Sequence, residues 1–196
     1  MPSPEHIVYP AGHHAVGKTE LCDYFEERYG FEVVETGAMV RGLYADRDDE
    51  FAGHSLGDFV KAIKTREPDY FDRKLAERID ALDDEHGRVI VNGMRAQPNI
   101  ERAKETYPNA RHSIIWMDAD FDVLFERYKL REQRELTPEE FNDLLNFDME
   151  LGLALIRDNA NFFIENNSTV DVLRRRADSV MRELGVTALN AGSESA

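Results

Sequence analysis

One residue of the 196, Cys22, is a cysteine, which excludes an internal disulfide and fits a reducing compartment. Cys22 sits at a helical position among apolar neighbours, so it reads as a small buried hydrophobe rather than a reactive thiol. No run approaches the roughly 18 consecutive apolar residues that a membrane span needs. The first ten residues, MPSPEHIVYP, lack both the basic start and the apolar centre of a signal peptide. These absences lead to the expectation of a cytoplasmic protein with no membrane partner. Basic charge is scarce too: 24 Lys and Arg stand against 39 Asp and Glu, a formal charge of −15. Such a surface repels the backbone of nucleic acid, which is therefore a disfavoured partner unless a local arginine cleft holds it.

What is present is enough for a core. Hydrophobic residues make up 42% of the chain and aromatic ones 10%, the composition of a folded domain of ordinary size. One domain is expected over residues 1–189, followed by a frayed tail over 190–196, NAGSESA. Five short β-branched and aromatic runs stand out: His6–Tyr9, Phe31–Val34, Arg88–Val91, His112–Met117 and Asn161–Ile164. Longer helical patterns separate them, which predicts an α/β fold around a mainly parallel sheet. Lys18–Tyr29 places Leu21, Cys22, Phe25 and Tyr29 on one face and stops at Gly30. A second helix is expected from Asp69 to about Asp83, with Phe71, Leu75, Ile79 and Leu82 as its stripe. Phe121–Arg134 follows the acidic run Asp118–Asp120, which suits the positive end of a helix dipole. Thr137-Pro138-Glu139-Glu140 reads as a cap, a first-turn proline and two first-turn acids, opening a helix that runs to about Asp158. The last helix is expected over Val170–Leu184, and the polar segment Leu43–Pro68 holds a small helical insertion, Leu56–Ile63.

The strongest local signal is Gly12-His13-His14-Ala15-Val16-Gly17-Lys18-Thr19, which satisfies G-x-x-x-x-G-K-[ST] with a strand before it and an amphipathic helix after it. Gly12 and Gly17 permit backbone conformations that turn successive N–H groups toward one point, a cradle for phosphate. The N-terminus of the following helix adds unpaired amides and partial positive charge. Lys18 supplies a full charge between the β- and γ-phosphates, and the Thr19 hydroxyl suits Mg²⁺. The motif therefore points to ATP and Mg²⁺ as cofactors. His13, His14, Ala15 and Val16 fill the variable positions.

Three further stretches carry a resemblance. Thr36-Gly37-Ala38-Met39-Val40-Arg41 is similar to the T-G-D-[ML]-[LIV]-R signature of adenylate-kinase-like enzymes. Val91-Asn92-Gly93-Met94-Arg95 looks like their D-G-x-x-R element, and Arg127-x-x-x-Arg131-x-x-Arg134 looks like the arginines that lead into their lid. From His6 to about Leu184 the chain resembles P-loop kinases of the nucleoside-monophosphate kinase type: adenylate kinases, dephospho-coenzyme A kinases and small archaeal relatives of both. The resemblance implies a P-loop three-layer α/β/α sandwich with a five-stranded sheet, an acceptor-binding insertion at about 36–72 and a short lid at about 131–139. It assigns the acceptor phosphate to Arg41 and Arg95 and the acceptor base to Thr36. It assigns closure over the nucleotide to Arg127 and Arg131. Ala38 and Asn92 depart from the pattern, since the family has aspartate at both positions. Asn92 would then meet the metal only through a bound water, and Glu35 is the nearest replacement carboxylate.

The expected activity is phosphoryl transfer from ATP to a small acceptor, a nucleotide, nucleoside or related metabolite. Catalysis would rest on Lys18, Arg95, Arg131 and Glu35. Two other readings remain: a nucleotide-binding regulatory or assembly ATPase with little transferase activity, and a kinase acting on a base or end of DNA or RNA. The acceptor and the oligomeric state have no signature in the sequence.

Overall fold

The computed structural model describes residues 3–47, 51–82, 86–133 and 135–189. Its centre is a five-stranded sheet of β1 (His6–Gly12), β2 (Glu32–Glu35), β3 (Arg88–Asn92), β4 (Arg111–Asp118) and β5 (Phe162–Glu165). The spatial order is β2-β3-β1-β4-β5 and every pairing is parallel. The five apolar runs thus became five strands, and the mainly parallel sheet is wholly parallel among the described residues.

Side chains alternate across a strand, so each strand feeds two cores. Val8, Ile90, Ile115, Met117 and Ile164 face one side. There they meet α1 (Lys18–Tyr29), α6 (Phe121–Glu132), α7 (Pro138–Asp148) and α9 (Val170–Leu184) through Leu21, Phe25, Tyr128, Phe141 and Met181. Ile7, Tyr9, Val89, Val91, Ile114 and Trp116 face the other side, toward α4 (Tyr70–Asp80), α5 (Gln97–Thr106) and α8 (Ala154–Asp158). Three layers result. A third cluster, Phe51, Phe59, Ile63 and Phe71, ties α4 to α3 (Leu56–Arg66), beside α2 (Thr36–Ala45). Cys22 lies in the first core, where burial pushes its thiol up to about 12, as expected of an inert hydrophobe.

α1 and α9 have the bounds their periodicity predicts, and the capping box at Thr137 and Glu140 is formed. Two expectations change, and two helices are new. The helix from Thr137 does not run unbroken to Asp158: it kinks within Met149–Leu153, before α8. Gly152, at φ 124°, makes the break, and a Cβ there would lie 3.3 Å from the Arg95 carbonyl oxygen. α4 ends at Asp80, and Asp83 lies outside the described residues. α2 and α5 were not anticipated, because α2 buries no residue fully and α5 opens on Gln97-Pro98 in a polar stretch. Asp120 is the N-cap of α6 but its side chain makes no capping hydrogen bond, so the acidic run acts there through charge alone. Among the described residues no helix is long and apolar enough to cross a membrane.

Gly152→Ala would force a Cβ into a backbone conformation L-residues rarely adopt, against a fixed carbonyl. The substitution is expected to cost about 1–3 kcal/mol of unfolding free energy by urea denaturation. A loss of a few tenths would mean that the turn relaxes freely.

Candidate functional site

The loop between β1 and α1 is shaped by close approach on both sides. At Gly12 (φ 142°) a Cβ would lie 2.3 Å from the Met117 carbonyl oxygen of β4. At Gly17 (φ 99°) it would lie 2.5 Å from Nδ2 of Asn166, a buried side chain that donates to the Val16 carbonyl at 2.9 Å. Ala15 is one of two non-glycine residues with positive φ among those described, at 59°. Such a backbone persists only where its surroundings hold it. The first-turn amides of α1, those of Lys18 and Thr19 among them, have no partner within the helix.

Lys18 lies across this loop, with Nζ donating to the carbonyls of Gly12 and His13, each at 2.8 Å. Burial drives its pKa down to about 8, and the nearby charges of Arg95 and Arg131 push the same way. A depressed lysine pKa means that the charged form costs stability in full below pH 8, a cost relieved as pH rises toward 10.5. The loop therefore holds a poorly compensated cation inside a chain of charge −15.

Asp148, at the end of α7 and 6% exposed, faces the loop. Its Oδ1 accepts from Arg95 Nη1 at 2.7 Å, and its Oδ2 lies 3.1 Å from His14 Nε2. Arg95 Nη2 is 3.4 Å from the same histidine nitrogen. Burial alone would raise the Asp148 carboxyl; the His14 hydrogen bond and the Arg95 charge outweigh it and hold the group below its ordinary value. His13 packs edge-on against Trp116, and burial lowers its pKa.

Arg95 also lines a cleft of about 520 Å³ between α2, α3, α4 and the β3–α5 turn. Met39, Val40, Val60, Phe71 and Leu75 form apolar walls, and Arg41 and Lys64 add two more cations. The one carboxylate there, Asp72, is paired with Arg102 and accepts from Asn99 Nδ2 at 2.7 Å. Arg41 has no ion-pair or hydrogen-bond partner among the described residues. Thr36 reaches the cleft as well, its hydroxyl donating to the Asn92 carbonyl at 2.9 Å, which fixes the start of α2 to the end of β3.

Glu35 and Asn92 face each other in register on β2 and β3, with Asn92 Nδ2 donating to Glu35 Oε1 at 2.7 Å. The Asn92 Oδ1 is buried without a partner among the described residues. Arg127 and Arg131, four residues apart on α6, separate. Arg131 lies over the Tyr128 ring, bonded to Glu132, close enough to act on Lys18. Arg127 donates to the backbone carbonyls of Asn166 and Ser168, so it fastens the β5–α9 connection. Arg134 lies outside the described residues. Sequence reasoning passed over Asp148, Lys64 and Asn166. A signal existed for Asp148, which continues the apolar stripe Phe141–Leu145 at helical spacing yet is charged. Lys64 and Asn166 have none.

A parallel sheet with a glycine-bracketed loop at the end of β1, a lysine across that loop and a cleft beside β3 defines a P-loop kinase fold. The chain belongs to the AAA domain family, whose model matches residues 11–146. It is 26% identical over 181 residues to a UPF0200/UPF0201 protein of Archaeoglobus fulgidus, covering 91% of this chain but only 55% of that longer one. A UPF0200 protein of Pyrococcus abyssi is 23% identical over 91% of this chain and 96% of its own length. Among solved structures, a dephospho-CoA kinase from Campylobacter jejuni superposes with a TM-score of 0.60 at 15% identity, over 91% of this chain and 96% of that one. A gluconokinase from Sinorhizobium meliloti gives 0.60 at 15%, over 93% and 95%. These likenesses show the fold.

Because Lys18 titrates near pH 8, an anion seated in the loop should restore its proton. Calorimetric titration with Mg-ATP in buffers of different ionisation enthalpy should record uptake of roughly 0.9 proton per nucleotide at pH 9 and under about 0.1 at pH 7. Equal uptake at both pH values would show that Lys18 does not meet the phosphates.

Proposed function

We propose that the protein is an ATP-dependent phosphotransferase acting on a small anionic acceptor, best matched by a nucleotide. The observation that carries this is the position of Arg95, which touches the P-loop at His14 and lines the separate cleft at the same time. A guanidinium shared by two anion sites belongs where a phosphoryl group passes between them. The triphosphate lies along Gly12–Thr19, with Lys18 bridging the outer phosphates. The acceptor sits in the cleft, its anionic group on Arg41 and Arg95 and its apolar body against Met39, Val40 and Phe71. Lys64 and the lack of an unpaired carboxylate favour a negatively charged acceptor over a neutral one.

Magnesium fits the donors available: the Thr19 hydroxyl is an oxygen ligand of the kind that ion takes beside substrate phosphates and water, and the unpartnered Asn92 Oδ1 would accept from a metal-bound water. Its role would be to neutralise phosphate charge. Transfer itself needs alignment and charge neutralisation more than proton transfer. An acceptor phosphate needs no base; an acceptor hydroxyl would be oriented by Glu35, which Asn92 holds in place. Residues 1–189 act as one unit in this reading, with 36–72 as the acceptor arm and 131–139 as the lid that carries Arg131 over the nucleotide and excludes water. Arg127 serves the nucleotide by holding the Asn166–Ser168 carbonyls. The presence of Ala38 and Asn92 where the related kinases carry aspartate favours one competing reading, a regulatory ATPase with little transferase activity.

A screen of nucleoside monophosphates, nucleosides and metabolite phosphates for accelerated ADP release tests the reading. One acceptor should raise turnover at least tenfold over basal hydrolysis, and Lys18→Ala should abolish it. Arg41→Ala should raise the acceptor KM about tenfold or more, the cost of one charged hydrogen bond, with a smaller effect on the KM for ATP. The reading fails if no acceptor accelerates ADP release and Arg95→Ala leaves basal hydrolysis unchanged.

A further inference from the structure

We infer that Asp148 is a positioning residue for the transferred phosphoryl group, acting through Arg95. The inference rests on the phosphotransferase reading above. Asp148 is a buried carboxylate on a helix face otherwise apolar, and a lone buried charge there would be costly. Its two oxygens are divided between one residue of each half of the site: Oδ1 to Arg95 at the β3–α5 turn, Oδ2 toward His14 in the P-loop.

Arg95 needs such a hold. It is 56% exposed, its side chain is long, and its bond to Asp148 is its one ion pair among the described residues. Occupying Nη1 on Asp148 leaves Nη2, which lies toward His14 of the loop, for phosphate oxygens. An arginine without that bond has several rotamers to choose from, and the oriented fork is lost.

The backbone around Asp148 is built for this contact. α7 ends at Asp148, and the kinked segment Met149–Leu153 follows at once. Gly152 lets the turn lie against the Arg95–Ala96 backbone, so the segment that carries the carboxylate also braces the arginine's main chain. Asp148 does not itself line the cleft: it reaches it through Arg95 and reaches the loop through the His14 side chain.

The test is a double-substitution cycle on the full-length protein: wild type, Asp148→Asn, Arg95→Lys and the pair. Asp148→Asn keeps the side-chain shape, and Arg95→Lys keeps the charge while removing the fork. Two quantities are read for each: calorimetric affinity for Mg-ADP alone, and affinity for Mg-ADP with aluminium fluoride, a mimic of the phosphoryl group in transit. Each single substitution should weaken the aluminium-fluoride complex about tenfold and leave Mg-ADP binding within twofold, and the pair should be no worse than Arg95→Lys. Effects that multiply to about a hundredfold, an equal loss of Mg-ADP affinity in Asp148→Asn, or no effect of Asp148→Asn would overturn the positioning role. Wild-type protein that binds no Mg-ADP would sink the phosphotransferase reading instead. Should Asp148→Asn prove unfolded by its thermal transition, Asp148→Glu replaces it in the same cycle, with the same outcomes deciding.

Discussion

A buried ammonium group organises this molecule. Lys18 is held between two backbone carbonyls at the mouth of the sheet, and burial lowers its pKa from 10.5 to about 8. At about 1.4 kcal/mol per unit, keeping that lysine charged at neutral pH costs the fold roughly 3 kcal/mol. The surrounding features make sense as the conditions for that cost. Gly12 lets β4 approach within contact of the loop, Gly17 admits Asn166, and the strained Ala15 is clamped between them. A loop free to open would hydrate the ammonium and lose its preference for an anion.

Strand order then decides what else can reach the lysine. With β1 between β3 and β4, the chain leaves the sheet in opposite directions from the two neighbours of the P-loop strand, the arrangement that opens a crevice at the carboxyl ends of the strands. β3 delivers Asn92 and, three residues on, Arg95. β2, pairing outside β3, delivers Glu35 and the start of α2. The cleft therefore lies on the β3 side and the Asn166–Ser168 connection on the β5 side, with Arg127 pinning the latter. The groups around the loop and those around the cleft are sorted by topology before any side chain is chosen.

That sorting explains which parts the sequence revealed. Strands buried on both faces read as continuous apolar runs, and helices with one buried stripe read by their period, so five strands and the bounds of α1 and α9 were legible. The P-loop was legible because its glycines and lysine are required at fixed spacing. α5 and α2 were hidden because tertiary contacts, not propensity, hold them: α5 is anchored in the second core by Ile100 and Ala103, and α2 buries nothing fully. The break at Gly152 was hidden because one glycine inside a good helical pattern is usually tolerated. Arg127 and Arg131 share one spacing and one helix, yet one meets carbonyls and the other a ring and Lys18, a difference set by which loop lies opposite. Periodicity places a residue on a face and says nothing of what faces it.

The departures at Ala38 and Asn92 look severe as single positions and less so as a sum of charges. Lys18, Arg41, Lys64, Arg95 and Arg131 gather around the loop and the cleft, and among the carboxylates near them Asp72 is spoken for by Arg102 and Asp148 by Arg95. An aspartate at position 92 would face Glu35 at hydrogen-bond distance, where two carboxylates resist ionising together. Asparagine at 92 donates to Glu35 instead, so the two strand ends pair without that conflict. The carboxylate of this strand end is thus relocated by one strand, to Glu35 on β2, with the cations of the loop and the cleft unchanged around it.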